Sequence, residues 1–162
     1  MTEAQQEFLR LCVIEQEKYK DIAIKLNVPN ATLTQWYEEL KDERLAIAEI
    51  RKLYNRKKIS LPFFEFYKWY ISPERKCHYC DITESQIKQL LDSGNLETKR
   101  LATRGRKLEL DRMQPNLKYD NLDNLVLSCY WCNNAKTDTF TEEEFKKVGL
   151  VFKEIWKERL AK

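Results

Sequence analysis

The sequence predicts a mainly α-helical molecule with one small β-hairpin, built as a helical unit at 1–58 and a second domain at 61–162. Three observations carry this. Apolar residues recur at helical spacing through most of the chain, and its 162 residues include only three glycines and four prolines. Two short apolar runs, Leu108 to Leu110 and Leu125 to Leu127, have strand length instead. Four of the five cysteines form two C-x-x-C pairs, Cys77/Cys80 and Cys129/Cys132.

The elements follow in order. Residues 3 to 17 place Phe8, Leu9, Cys12 and Val13 on one helical face, with Thr2 as N-cap. In residues 19 to 40, Ile22, Ala23 and Leu26 form a short stripe. Asn27, Val28 and Pro29 interrupt it, and Leu33, Trp36, Tyr37 and Leu40 resume the period, a pattern of helix, tight turn and helix. Residues 41 to 58 continue as a charged helix ending in the basic run RKLYNRKK, which makes 41 to 60 the expected connection. SLPFFEFYKWY, residues 60 to 70, opens with Ser60 and Pro62, and its aromatics are expected to cover the second core.

Beyond the first cysteine pair, Thr83 and Gln86 have capping-box spacing before a helix that stops at Gly94. Leu108 and Leu110 alternate with charged residues as a first strand, and NLVLSC at 124 to 129 is the second. A short helix begins at the second cysteine pair. Thr141 and Glu144 cap a final helix with Phe145, Val148, Phe152, Ile155 and Trp156 as its buried stripe.

No apolar run of eighteen residues exists and the N-terminus is polar and acidic, so a soluble cytoplasmic protein with no membrane partner is expected. In a reducing compartment the four paired cysteines, Cys77, Cys80, Cys129 and Cys132, supply the thiolates of one closed tetrahedral Zn²⁺ site, which is structural because it keeps no open position. Cys12 reads as a small buried hydrophobe. The net charge of +3 is modest, but basic residues cluster at 51–58 and again at 99–107, where Arg104, Arg106 and Lys107 stand beside the first strand. Those clusters suit phosphate contacts.

The 19–40 stretch resembles the helix-turn-helix of bacterial regulators and recombinases through Ala23, Val28 and Trp36. That resemblance implies a second helix in the major groove of double-stranded DNA, with Asn30, Thr32, Thr34 and Gln35 reaching base edges.

Residues 108 to 136, LELDRMQPNLKYDNLDNLVLSCYWCNNAK, resemble the HNH nucleases, whose strand, loop, strand and helix form a ββα unit around one divalent metal. The resemblance implies a DNA endonuclease in which Asp111 and Asn133 hold Mg²⁺ or Mn²⁺, Asn124 braces the loop, and Lys136 lies near the phosphate. Arg112 stands where most of the family has a histidine base, and a guanidinium cannot accept a proton at neutral pH. A subset of HNH proteins with Asp-Arg, a loop tyrosine and an asparagine opening the second strand is matched by Asp111, Arg112, Tyr119 and Asn124. There Arg112 grips phosphate, and water is activated by the metal, by Tyr119, by a phosphate oxygen or by His78. The alternative is an inactive HNH-like zinc protein that regulates by binding DNA. A double-strand break needs a homodimer or two events, and a bacterial or phage-encoded origin is expected.

Overall fold

Thr2 caps the first helix as its spacing predicts: its hydroxyl accepts the Gln5 amide while the Gln5 side chain accepts the Thr2 amide. The computed structural model describes residues 1–97 and 104–162, in two units, Met1–Ser72 and Pro73–Lys162. Lys99 and Arg100 of the second basic run lie outside the described residues.

In the first unit, α1 (Glu3–Leu9) continues into a π-helical turn, Arg10–Ile14. This wider turn changes the helical phase, so Leu11 and Ile14 are buried where Cys12 and Val13 were expected. α2 (Tyr19–Leu26) ends at Asn27, whose left-handed backbone (φ 51°) reverses the chain. Pro29 then starts α3 (Asn30–Glu39). Ile22 of α2 and Leu33 of α3 are fully buried, and Trp36 meets Phe8 edge to face at 5.8 Å.

α4 (Lys41–Lys57) and α5 (Phe63–Ile71) complete this unit. The aromatics of α5, expected over the second core, belong to the first unit and pack within it. Phe63 and Phe66 pack on Tyr54 of α4 at 5.2 and 5.6 Å, and the Tyr54 hydroxyl donates to the Leu61 carbonyl at 2.6 Å. A left-handed Lys58 and a short link fold α5 back on α4, so its apolar face finds a neighbour adjacent in sequence and the unit extends past the expected boundary at 58–61. Arg51 also leaves the basic run: its guanidinium lies 3.7 Å over Phe63 and donates to the Val13 and Ile14 carbonyls.

In the second unit, the Thr83–Gln86 capping box opens α6 (Glu84–Asp92). β1 (Glu109–Arg112) pairs antiparallel with β2 (Leu125–Ser128), Glu109 opposite Ser128 and Arg112 opposite Leu125. α7 (Tyr130–Lys136) follows β2 directly, and α8 (Glu142–Leu160) starts at the Thr141–Glu144 capping box. Ile82, Ile87, Leu90, Leu110, Leu127, Phe145 and Trp156 form the core. Of the stripe expected on α8, Val148 is exposed and Gly149 is buried in its place. A Cβ at Gly149 would lie 2.4 Å from the Tyr79 carbonyl oxygen, so the backbone of α8 touches the segment between Cys77 and Cys80 and the buried face turns accordingly. Among the described residues no helix is long and apolar enough to cross a membrane.

Candidate active site and zinc centre

The four paired cysteines converge. Cys77 and Cys80 lie on a tight turn closed by the Cys77 amide on the Ile82 carbonyl (2.9 Å) and by a left-handed Asp81. Cys129 is the N-cap of α7, its sulfur accepting the Cys132 amide at 3.4 Å. All four are buried and free of disulfides, with their sulfurs within 4.8 Å of one another. The 3.7 Å between Cys80 and Cys129 Sγ matches the roughly 3.8 Å edge that a tetrahedron with Zn–S of about 2.3 Å requires. Four such thiols cannot all ionise unaided. Hydrogen bonds from Cys129, Cys132 and Cys80 push the Cys77 thiol down, while those with Cys129, Cys77 and Cys80 push Cys132 up. A divalent soft-tolerant cation resolves that conflict, and the four-cysteine set fits structural zinc.

The zinc cluster positions the ββα unit, because the His78 amide donates to the Leu127 carbonyl of β2 at 2.8 Å and Cys129 links β2 to α7. Glu109 and Asp111 are alternate residues of β1, and Asn133 and Lys136 are one turn apart on α7. Two rungs join them. Asn133 Nδ2 donates to Glu109 Oε2 at 2.7 Å, and the Lys136 ammonium lies 3.7 Å from Asp111 Oδ2 while donating to the Arg112 carbonyl at 2.8 Å. Lys136 is 0% exposed, so it does not lie on the surface where a phosphate could reach it; it is the internal counter-charge of Asp111.

Asp111 is itself only 7% exposed. Its Oδ2 accepts the Tyr79 hydroxyl at 2.9 Å, and its Oδ1 takes no hydrogen bond among the described residues. Burial and the Asp111 carboxylate push the Tyr79 phenol up, which keeps it protonated and donating. Asn133 has a fixed orientation for a related reason: a carboxylate only accepts, so Nδ2 must face Glu109, and the amide oxygen takes no hydrogen bond among the described residues. Arg104 holds Glu109 from the other side in a two-pronged pair at 2.8 and 2.6 Å.

Asn124, buried at the end of a 3₁₀ turn (Leu122–Asn124), clamps the loop by accepting the Gln114 amide (2.8 Å) and donating to the Gln114 carbonyl (3.2 Å). Arg112 Nη1 donates to the Leu117 carbonyl at 2.7 Å, and its guanidinium lies 4.8 Å over the Tyr119 ring. Its Nε and Nη2 make no hydrogen bond among the described residues. His78 Nε2 lies 2.6 Å from Glu142 Oε1, at the start of α8. Arg106 and Lys107 are exposed beside β1.

Among solved structures the chain is similar to the rare-cutting HNH restriction endonuclease PacI, described for an extraordinary mechanism of DNA perturbation. The identity is 24%, over 69% of this chain and 77% of that chain, with a TM-score of 0.53. The fold is that of an HNH nuclease. No family model and no curated protein matches the sequence. Within the HNH fold, the sequence-predicted residues Asp111, Arg112, Asn124, Asn133 and Lys136 all lie on or beside the hairpin and α7, and Tyr119 lies on the intervening loop. The first-unit residues Asn30, Thr32, Thr34 and Gln35 are elsewhere, on the first turns of α3. Two partners were not found from sequence. Glu109 had a signal, since period-two alternation puts it on the Asp111 face; Tyr79, inside CHYC, had none.

Proposed function

We propose that the chain is a divalent-cation-dependent DNA endonuclease. The observation that supports this most is the state of Asp111 within an HNH fold: a buried carboxylate with one oxygen tied to Tyr79 and the other open. A buried charge with a spare lone pair is costly unless a ligand uses it. The donors suit a hard ion, because Asp111 and Asn133 both offer oxygens. Asp111 and Asn133 would hold Mg²⁺ or Mn²⁺, which would supply a Lewis acid for the scissile phosphate.

The chain's own groups do the rest of the work. Arg112 keeps Nε and Nη2 for a phosphate oxygen, where its fixed charge steadies the developing negative charge. It cannot take a proton, and Tyr119, lying under its guanidinium, helps the attacking water lose one. Asn124 holds the loop that carries Tyr119. Lys136 holds Asp111 and the end of β1 in place in this reading, Arg104 braces Glu109, and the exposed Arg106 and Lys107 contact the backbone of double-stranded DNA.

The first unit directs the second to its target as a helix-turn-helix. Asn30, Thr34 and Gln35 are exposed along α3, as base-reading residues must be, and Arg56 and Lys58 are exposed at the end of α4 for phosphate. α3 has no lysine or arginine, so its contribution is to sequence preference. One site cuts one strand, and a homodimer would supply the second cut.

Supercoiled plasmid incubated with Mg²⁺, Mn²⁺ or EDTA tests the reading. Nicking in either metal, lost with EDTA and in Asp111→Ala, supports it. Plasmid that stays supercoiled in every lane while still binding the protein would favour a DNA-binding regulator. Tyr119→Phe and His78→Ala, compared across pH, then separate the proton acceptors.

A further inference from the structure

The zinc turn carries a side chain that reaches out of the zinc centre. Tyr79 lies between Cys77 and Cys80, is 4% exposed, and places its hydroxyl 2.9 Å from Asp111 Oδ2, across 32 positions of sequence. It has little freedom. Its ring meets His78 and Phe145 edge to face, both at 5.1 Å, and its carbonyl oxygen is pressed against the bare Cα of Gly149 on α8. The contact is therefore built from the zinc turn, α8 and β1 together.

We propose that Tyr79 is a positioning residue for cation binding: its hydroxyl fixes the rotation of the Asp111 carboxylate and reserves Oδ1 for a divalent ion, so the zinc turn sets the affinity of the neighbouring site. An unheld carboxylate has two alternatives that compete with this state. It can rotate both oxygens onto the Lys136 ammonium, which already lies 3.7 Å from Oδ2, or it can share them unequally with water. A hydrogen bond to one oxygen from a neutral donor removes the first alternative without neutralising the charge. Partners of this kind, one bond removed from a metal, change its affinity by about 10–100-fold when lost.

The inference rests on the cation site proposed above, and Tyr79→Phe isolates it. That variant keeps the ring contacts with Phe145 and His78 and removes one hydroxyl. Mn²⁺ binding to the full-length protein is measured by titration calorimetry alongside zinc content and plasmid nicking. The expected result is unchanged zinc content, Mn²⁺ affinity weakened about tenfold or more, and nicking that recovers at raised Mn²⁺. Asp111→Ala should abolish the Mn²⁺ signal. Equal Mn²⁺ affinity in Tyr79→Phe and wild type, at equal zinc content, overturns the inference and leaves the nuclease reading standing. Tyr79-dependent Mn²⁺ binding without nicking in any protein does the reverse. Absence of Mn²⁺ binding by wild type overturns the inference, and so does loss of zinc in Tyr79→Phe, because the hydroxyl would then serve the zinc centre.

Discussion

Removing zinc should unfold most of the second unit. Cys80 and Cys129 are 49 positions apart, and the ion that joins them closes a loop of that size in the chain. Loop-closure entropy for about 50 residues corresponds to about 4 kcal/mol at 25 °C, using the relation for covalent cross-links. Single domains hold only about 5–15 kcal/mol in all. The core leaves little to fall back on, since Cys77, Cys80, Cys129 and Cys132 are themselves among its most buried residues and would become four clustered thiols. In a unit of this size the loss should lower the melting temperature by roughly 15–30 °C. The assay is circular dichroism melting before and after a strong chelator, with released zinc read by a chromophoric indicator. One zinc per chain and a large downward shift are expected. A chelated, zinc-free protein that melts within a few degrees of the untreated one would refute the argument.

Other substitutions test the site part by part. Lys136→Met should destabilise the second unit by about 3 kcal/mol or more in urea, because it leaves Asp111 and the Arg112 carbonyl buried without their partner; a surface phosphate ligand would cost almost nothing. Gly149→Ala should cost about 1–3 kcal/mol in the same assay, since its methyl would meet the Tyr79 carbonyl oxygen at 2.4 Å, and a neutral result would show that α8 is not seated as described. Arg112→Ala should slow nicking and reduce the salt dependence of DNA binding by about one phosphate contact. An unchanged salt slope would mean that Arg112 serves the loop through Leu117 alone.

Local signals in the sequence were sufficient where structure is decided locally. The capping boxes at Thr83 and Thr141 formed as their spacing predicts, and Thr2 caps the first helix. The cysteine pairs found each other and the two apolar runs paired, because each motif contains most of its own physics. What escaped depends on which distant surface a residue meets. The aromatic face of α5 would suit either core, and only the turn at Lys58 decides that it returns to Tyr54. The HNH resemblance put Lys136 near the phosphate; its burial follows from Asp111 and the end of β1 lying opposite. Gly149 carried no signal in the sequence, because its role depends on the Tyr79 carbonyl that approaches it. Tyr79 itself was hidden within the zinc motif that explained its neighbours.

In the proposed nuclease, cleavage depends on the carboxylate of Asp111. Single-turnover nicking of supercoiled plasmid in Mn²⁺, comparing wild type with Asp111→Asn at matched zinc content, tests it most directly. The substitution keeps the side-chain shape and removes the charge. Metal-dependent nicking by wild type and a rate lowered about a hundredfold or more in the variant are expected; equal rates in the two proteins, or no nicking by wild type, would contradict this role for Asp111.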